Sequence, residues 1–408
     1  MTAAQAHSRA MLLRLMDPAN RADPYRLGAE FRDHGPVQLS DANLVVFSSY
    51  RDCDDVLRHP SSSSDNMNST VARRQIEAGV WRRRPFPPGF LFLDPPDHTR
   101  LRRLVSKAFV PRVVNALQPG IESLVAGLLD RIADRGEFDV VEDFAYPLPV
   151  AVICRLLGVP LDDEPQFSRA SAVLAQALDP FSTVVGVPQD VVNARIEAVT
   201  WLRNYFHGLI ERRRSEPGDD LLSGLIAVEE SGDQLTEDEI VSTCNLLLIA
   251  GHETTVNLIG NAVLAMLRNP RHWTALGADP GRAPLIVEET LRYDPPVQLV
   301  SRVALADVTI GGVDVPAGDI MMLLLAVAQR DPAEFDRPDT FDPERNALRH
   351  LGFGRGIHYC LGAPLARLEA GVALSAVAGR FPHARLAGDP QYKANVTLRG
   401  LSELTVAV

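Results

Sequence analysis

Cysteine is scarce in this chain. There are four in 408 residues, Cys53, Cys154, Cys244 and Cys360, and no two form a C-x-x-C pair. Their wide separation argues against a disulfide framework and reads as reduced, cytosolic thiols. Long apolar runs are missing as well. The opening MTAAQAHSRAMLLRLMDPANRADP holds only MLLRLM, with an arginine inside it. That is too short for an export signal or a membrane anchor, so a cytoplasmic protein with a flexible 1–16 segment is expected. Excess positive charge is also absent. Against 52 Asp and Glu stand 41 Lys and Arg, a formal net charge of −11, which argues against a nucleic-acid coat or a polybasic membrane binder. The basic clusters at 82–84 and 212–214 read as local solvated charge. No internal repeat, low-complexity tract or Pro/Gly linker divides the chain, and 408 residues leave one large domain and two packed ones both open.

What remains is ordinary globular composition, 46% hydrophobic and 23% charged. VQLSDANLVVFSSY (37–50) reads as strands, and a β-rich part is expected over about 35–60. The stretch 61–89 has little period and reads mostly as a long loop, of the kind that often serves as a lid. From about 98 to 275 apolar residues recur three and four apart, as on helices. The clearest helix starts at LTEDEIVSTCNLLLIAGHETTVNLIGNAVLAMLRNP. Thr236 and Glu239 have the form of a capping box, and Asn269-Pro270 marks the stop. A helix apolar on most sides belongs in a core. The segment 307–329 reads as short strands around glycine turns running into a helical piece, and the last strands fall in NVTLRGLSELTVAV. The fold class is mainly α with small β-sheets.

Chemistry concentrates in HLGFGRGIHYCLGAPLARLEAG, 350–371. One cysteine, Cys360, stands at the start of a helical pattern, where free N–H groups and the helix dipole favour a thiolate. Gly354, Gly356 and Gly362 remove side chains where a flat cofactor could approach, and Phe353 could shield the sulfur. The alternatives are a buried free cysteine, a dinucleotide loop and half of a zinc site. The glycines do not follow G-x-G-x-x-G. For zinc, His358 and Cys360 lack a second ligand pair.

In the long helix, AGHETT sets Ala250 and Gly251 before Glu253, Thr254 and Thr255. Glycine costs about 1 kcal/mol relative to alanine inside a helix, which suggests that something comes close there. An acid beside a hydroxyl could deliver protons to a bound ligand. His252-Glu253 is no zincin, because residue 256 is Val. Glu289 and Arg292 are three apart and face each other on a helix. His98 and Arg102 are four apart and could clamp an anion, with Arg302 and His358 as further donors.

Together these segments resemble the cytochrome P450 monooxygenases. FGRGIHYCLG is similar to their haem-binding loop, AGHETT to their oxygen-activation motif and Glu289-x-x-Arg292 to their ExxR pair. AQRDPAEFDRPDTFDPER resembles the segment before the haem loop, and LDPPDHTRLRRLVSKAF the propionate-binding helix of the soluble bacterial branch. Order and spacing agree from about residue 17 onward, with greatest similarity to actinobacterial, mycobacterial members such as family 164.

The resemblance implies a single domain over 1–408, working as a monomer, with a triangular-prism fold and a long central helix over haem b. Cys360 would be the iron ligand. His98, Arg102, Arg302 and His358 would hold the propionates, and Phe353, Gly354, Gly356, Ala250 and Gly251 would border the haem. Glu253 and Thr254 would deliver protons, while Glu289, Arg292 and Arg345 would only hold the core. Phe90, Phe92, Phe181, Leu247, Ala250, Val297, Leu299 and Leu401 are the candidate substrate lining. The activity implied is hydroxylation of a lipophilic substrate with dioxygen. No flavin belongs to the chain, so electrons come from a ferredoxin and its reductase, and NAD(P)H acts only through the latter. Arg100, Arg103, Lys107, Arg112 and Arg367 are steering candidates for that acidic partner. Azole-type inhibitors should bind; nucleic acid should not. The competing readings are a peroxide-driven or non-hydroxylating haem-thiolate protein, and a cofactor-free helical scaffold.

Overall fold

The computed structural model describes residues 3–80, 86–175, 188–230, 235–345 and 348–408. Its helices, in chain order, are α1 (Ala3–Met16), α2 (Tyr25–His34), α3 (Tyr50–Arg58), α4 (Thr70–Glu77), α5 (Asp97–Val105), α6 (Pro111–Ile132), α7 (Pro147–Leu157) and α8 (Glu164–Ala175). They continue with α9 (Gln189–Ser215), α10 (Leu221–Glu230), α11 (Glu237–Leu267), α12 (Pro270–Ala278), α13 (Ala283–Tyr293), α14 (Leu325–Ala328) and α15 (Ala363–Arg380).

The centre is α11, 31 residues long. It begins where the sequence says it should. The Thr236 hydroxyl accepts from the Glu239 N–H at 3.3 Å, and the Glu239 carboxylate accepts from the Thr236 N–H at 2.9 Å. Two donors that a helix end would leave orphaned are thereby satisfied. Packed around α11 are α7, α8, α9, α10, α13 and α15. The main hydrophobic cluster runs through all of them, from Phe90 to Val406.

A five-stranded sheet lies to one side, in the order β1 (Val37–Leu39), β2 (Leu44–Phe47), β8 (Ile320–Leu323), β5 (Val300–Ala304) and β3 (Ser62–Ser63). Smaller sheets pair β6 (Val308–Ile310) with β7 (Val313–Val315), β10 (Gln391–Tyr392) with β11 (Leu401–Glu403), and β12 (Thr405–Ala407) with both β4 (Glu137–Asp139) and β9 (Arg385–Leu386). Strands β2 and β8 run parallel, Leu44 facing Ile320. Side chains alternate between faces with period two. Val45, Phe47, Met321 and Leu323 join one cluster with α3. Leu44, Val46, Ile320 and Met322 join another with α1 and α2. Apolar residues occupy every position of β2 and β8 because both faces are covered.

Three expectations need correction. Residues 3–16 are helical, with Met11, Leu12 and Leu15 buried against the sheet; their apolar stripe finds a partner only in the tertiary fold. Within 61–89 lies α4, whose N-cap Ser69 accepts from the Ala72 N–H. The part expected to be β-rich holds β1 and β2, joined through left-handed Asn43, and then the helix α3.

One buried acid yields a prediction. Glu369 on α15 is 3% exposed, and its Oε2 finds no hydrogen-bond partner. Burial pushes this carboxyl up to about 8. The folded chain keeps the proton where the unfolded chain has released it, so this group lowers stability as pH rises from about 4.5 to 8. Glu369→Gln should raise unfolding free energy at pH 8 by on the order of 1–3 kcal/mol, with little gain near pH 4.5. Urea titrations of both proteins at the two pH values check this.

Candidate functional site

Two facing elements build the site, the middle of α11 and the loop entering α15. In the loop, Gly354 and Gly356 have φ of 69° and 66°. A Cβ on Gly356 would stand 2.7 Å from the Leu57 carbonyl oxygen at the end of α3. Gly356 is therefore required by its own backbone and by α3. The Cys360 N–H donates to the Phe353 carbonyl at 2.8 Å, which sets the half-buried cysteine one turn before α15. Burial pushes its thiol up. The N–H groups of Gly362 and Ala363 and the guanidiniums of Arg102 and Arg367 pull the other way. A sulfur so surrounded is arranged for the negative charge of a metal-bound thiolate. Phe353 is buried beside it, with the Arg367 guanidinium 4.6 Å from its ring centre.

Next to the loop, His98 and Arg102 project from one face of α5, and Arg302 comes from β5. Arg102 donates to the Tyr359 carbonyl. His98 and His358 lie ring to ring at 4.2 Å. All four of their ring nitrogens are buried without a hydrogen-bond partner. Burial lowers Arg302 to about 10, opposed by Asp94. It also lowers His358 to about 3, helped by Arg302, His98 and Arg102. Two guanidiniums and two orphaned imidazoles crowded together call for an anion with several acceptor oxygens. The two propionates of a haem, with Cys360 as the iron ligand, fit this donor set. Asp94 does not supply that anion, because it is engaged by the N–H of Ser64 and the side chains of Ser63 and Asn68.

On α11, Ala250 is exposed and Thr254 partly so, while Leu247 and Leu248 are buried. The Thr254 hydroxyl donates to the Ala250 carbonyl at 2.6 Å, a back-bond that competes with the helix ladder. Gly251, half-buried, has α7 on one side, where a Cβ would sit in ordinary contact 3.4 Å from Ile153 Cδ1. Glu253 turns away from Thr254 to Lys393, with Oε1 and Nζ 2.6 Å apart. His252 is buried edge-on to Tyr146 at 4.7 Å, and burial lowers it to about 4, so it is neutral.

Behind the loop, Glu289 and Arg292 are both fully buried. Arg292 donates to both Glu289 oxygens and to the carbonyls of Gln329, Pro338 and Thr340 at 2.7–3.0 Å. Arg345 adds a contact to Glu289 at 3.2 Å. The triad anchors 329–345, the chain leading to the cysteine loop, and touches none of the reactive groups.

The expected substrate lining is only partly brought together. Ser242 donates to the Pro87 carbonyl at 2.6 Å, and Gly89 lies against Leu246, so the turn that carries Phe90 and half-buried Phe92 meets α11 just before Leu247. Val297 bridges to Leu398. Leu299 is misplaced in the expectation: two residues on from Val297, it packs with Met11 and Leu15. Leu401 is also misplaced, since it meets α11 at Gly260, ten residues beyond Ala250. Phe181 lies outside the described residues. Leu398 and Lys393 were not legible, because nothing in their spacing points at α11. Of the steering candidates, Arg100 is held by Glu239 at 2.5 Å and Arg367 by Glu288 at 2.6 Å, while Arg103, Lys107 and Arg112 are exposed. Among the described residues no His/Cys/Asp/Glu group could hold a metal ion by itself, and no helix is long and apolar enough to cross a membrane.

The family model described as Cytochrome P450 matches residues 27–279 and 284–396. The crystal structure of ligand-free CYP164A2 from Mycobacterium smegmatis is 63% identical, covers 98% of this chain and 100% of that one, and has a TM-score of 0.93. The same protein is known with econazole bound, at 62% identity, the same coverage and the same TM-score. The Vitamin D(3) 25-hydroxylase of Pseudonocardia autotrophica is 40% identical over 394 residues, 95% of this chain and 94% of its own length. With the cysteine loop, the buried Glu-Arg pair and the whole architecture in agreement, the chain belongs to the cytochrome P450 family of haem-thiolate monooxygenases.

Proposed function

We propose that this P450 hydroxylates a lipophilic small molecule with dioxygen, using electrons from a ferredoxin and its reductase. The observation that carries this is the meeting of three features. The half-buried Cys360 stands at the start of α15, two guanidiniums and two partnerless imidazoles lie beside it, and α11 presents Ala250 and Thr254. In this reading Cys360 ligates the iron while His98, Arg102, Arg302 and His358 bind the propionates. The bound haem supplies the reductive activation of dioxygen.

The chain's own groups do the rest. Ala250 keeps this exposed face of α11 clear of a bulky side chain where the haem would bind, and Thr254, whose hydroxyl can rotate off the Ala250 carbonyl, would present a proton donor. Leu247, Val297, Leu398, Phe90 and Phe92 exclude water and favour an apolar substrate. The hydroxylase name of the Pseudonocardia relative supports a lipophilic substrate class, and the econazole complex supports azole binding. Exposed Arg103, Lys107 and Arg112 offer a positive face to an acidic electron donor.

The test is reconstitution with a ferredoxin and its reductase. Product and hydrogen peroxide are measured per electron with vitamin D3 as a lipophilic probe. Thr254→Ala should keep its haem while losing coupling by about tenfold. Equal coupling in the variant would remove Thr254 from proton delivery. Electron transfer from the reductase alone, without ferredoxin, would overturn the proposed partner.

A further inference from the structure

The chain is nearly devoid of lysine: Lys107 and Lys393 are the only two, against 39 arginines. One of them meets the acid beside Thr254. Lys393 follows β10 (Gln391–Tyr392) in the C-terminal hairpin whose other strand is β11 (Leu401–Glu403). Its Nζ lies 2.6 Å from Glu253 Oε1 and 3.1 Å from Asn257 Oδ1, one turn further along α11. The two charged side chains are only 23% and 14% exposed.

The hairpin is locked in place around this contact. The Lys393 N–H donates to the Gly400 carbonyl at 3.0 Å. A Cβ on Gly400 would stand 1.9 Å from Asn257 Oδ1, so only glycine lets the hairpin backbone lie this close to α11. Arg399 pairs with Asp294 at 2.6 Å and lies over the Tyr392 ring at 4.5 Å. An ammonium on a flexible stem has the reach and the donors to bridge both acceptors. A cavity lined by Tyr25, Gln298, Tyr392 and Asn395 also reaches Lys393.

Neither member of the acid–alcohol pair bonds the other. Thr254 is turned to Ala250, and Glu253 is turned to the hairpin. We propose that Lys393 is a positioning residue for proton delivery. It fixes the Glu253 carboxylate on the hairpin side of α11 and thereby links this acid to solvent. The proposal rests on the reading of Glu253 as a proton-delivery group. It gives the C-terminal hairpin a role in coupling.

The experiment uses the holoenzyme reconstituted with a ferredoxin and its reductase, in H2O and D2O. Vitamin D3 serves as the probe, and the assay runs without added substrate if vitamin D3 gives no spin-state shift. The fraction of electrons released as hydrogen peroxide is read either way. Lys393→Met should raise that fraction at least twofold and enlarge the solvent isotope effect. Lys393→Arg should recover more than half of the change, and Lys393→Gln less. Haem content and Tm are recorded for each variant. A purely structural lysine would lower those two and leave the isotope effect alone, which would overturn the proposal. If Glu253→Gln raises peroxide release and Lys393→Met does not, Glu253 acts without its lysine and the proposal fails. If neither variant moves the partition, the reading of Glu253 itself fails.

Discussion

Cys360→Ser should abolish the strongly red-shifted band of the reduced, carbon monoxide-treated protein and lower monooxygenase turnover by on the order of 100-fold or more. By transition-state arithmetic that is about 3 kcal/mol of lost stabilisation. The cause is electronic. A thiolate pushes electron density onto the iron and favours O–O cleavage, and a serine oxygen is a poorer donor. The fold should survive, because the cysteine's backbone bond to Phe353 and the helix start at Ala363 do not involve the sulfur. Absorption spectra before and after reduction, with circular dichroism as the control for folding, check this. An unchanged band would remove Cys360 from the iron.

Arg292→Leu should cost about 3–5 kcal/mol of stability and prevent haem retention. Breaking a buried pair leaves an uncompensated charge, and that penalty exceeds the value of the pair itself. Here the loss takes both Arg292 bonds from Glu289, which has no exposure to water and keeps only the Asp342 N–H and Arg345, and it leaves the buried Gln329 and Pro338 carbonyls without their arginine donor. Arg292→Lys should rescue little. A lysine has three donors on one atom and cannot span Glu289, Gln329, Pro338 and Thr340 together. Denaturant unfolding and haem content distinguish the two variants. A fully stable Arg292→Lys protein would show that the charge matters and the fork does not.

Local features were the most readable. The cap of α11 could be read from Thr236 and Glu239 because a capping box closes within four residues. The pairing of Glu289 with Arg292 followed from helical spacing. The clustering of His98 with Arg102 followed likewise, and the resemblance supplied Arg302 and His358. Glycine was read less well. At Gly356 the sequence marks a position where a side chain is not tolerated, and it does not say which neighbour forbids it. That neighbour is the Leu57 carbonyl. Alternation was similarly ambiguous. Val297 and Leu299 look equivalent as apolar residues near a strand, yet Leu299 joins the cluster at α1.

The sequence by itself determined the class of chemistry. A single cysteine in a glycine loop, a capped apolar helix with an acid and a hydroxyl, and a Glu-Arg pair are each specified by short spacings that no distant contact can change. Only the tertiary structure decided how the acid beside Thr254 is held. Lys393 is 140 positions from Glu253, and no periodicity links them. They meet because a glycine hairpin can approach α11 without a Cβ in the way, and a half-buried carboxylate there is stabilised by a nearby cation.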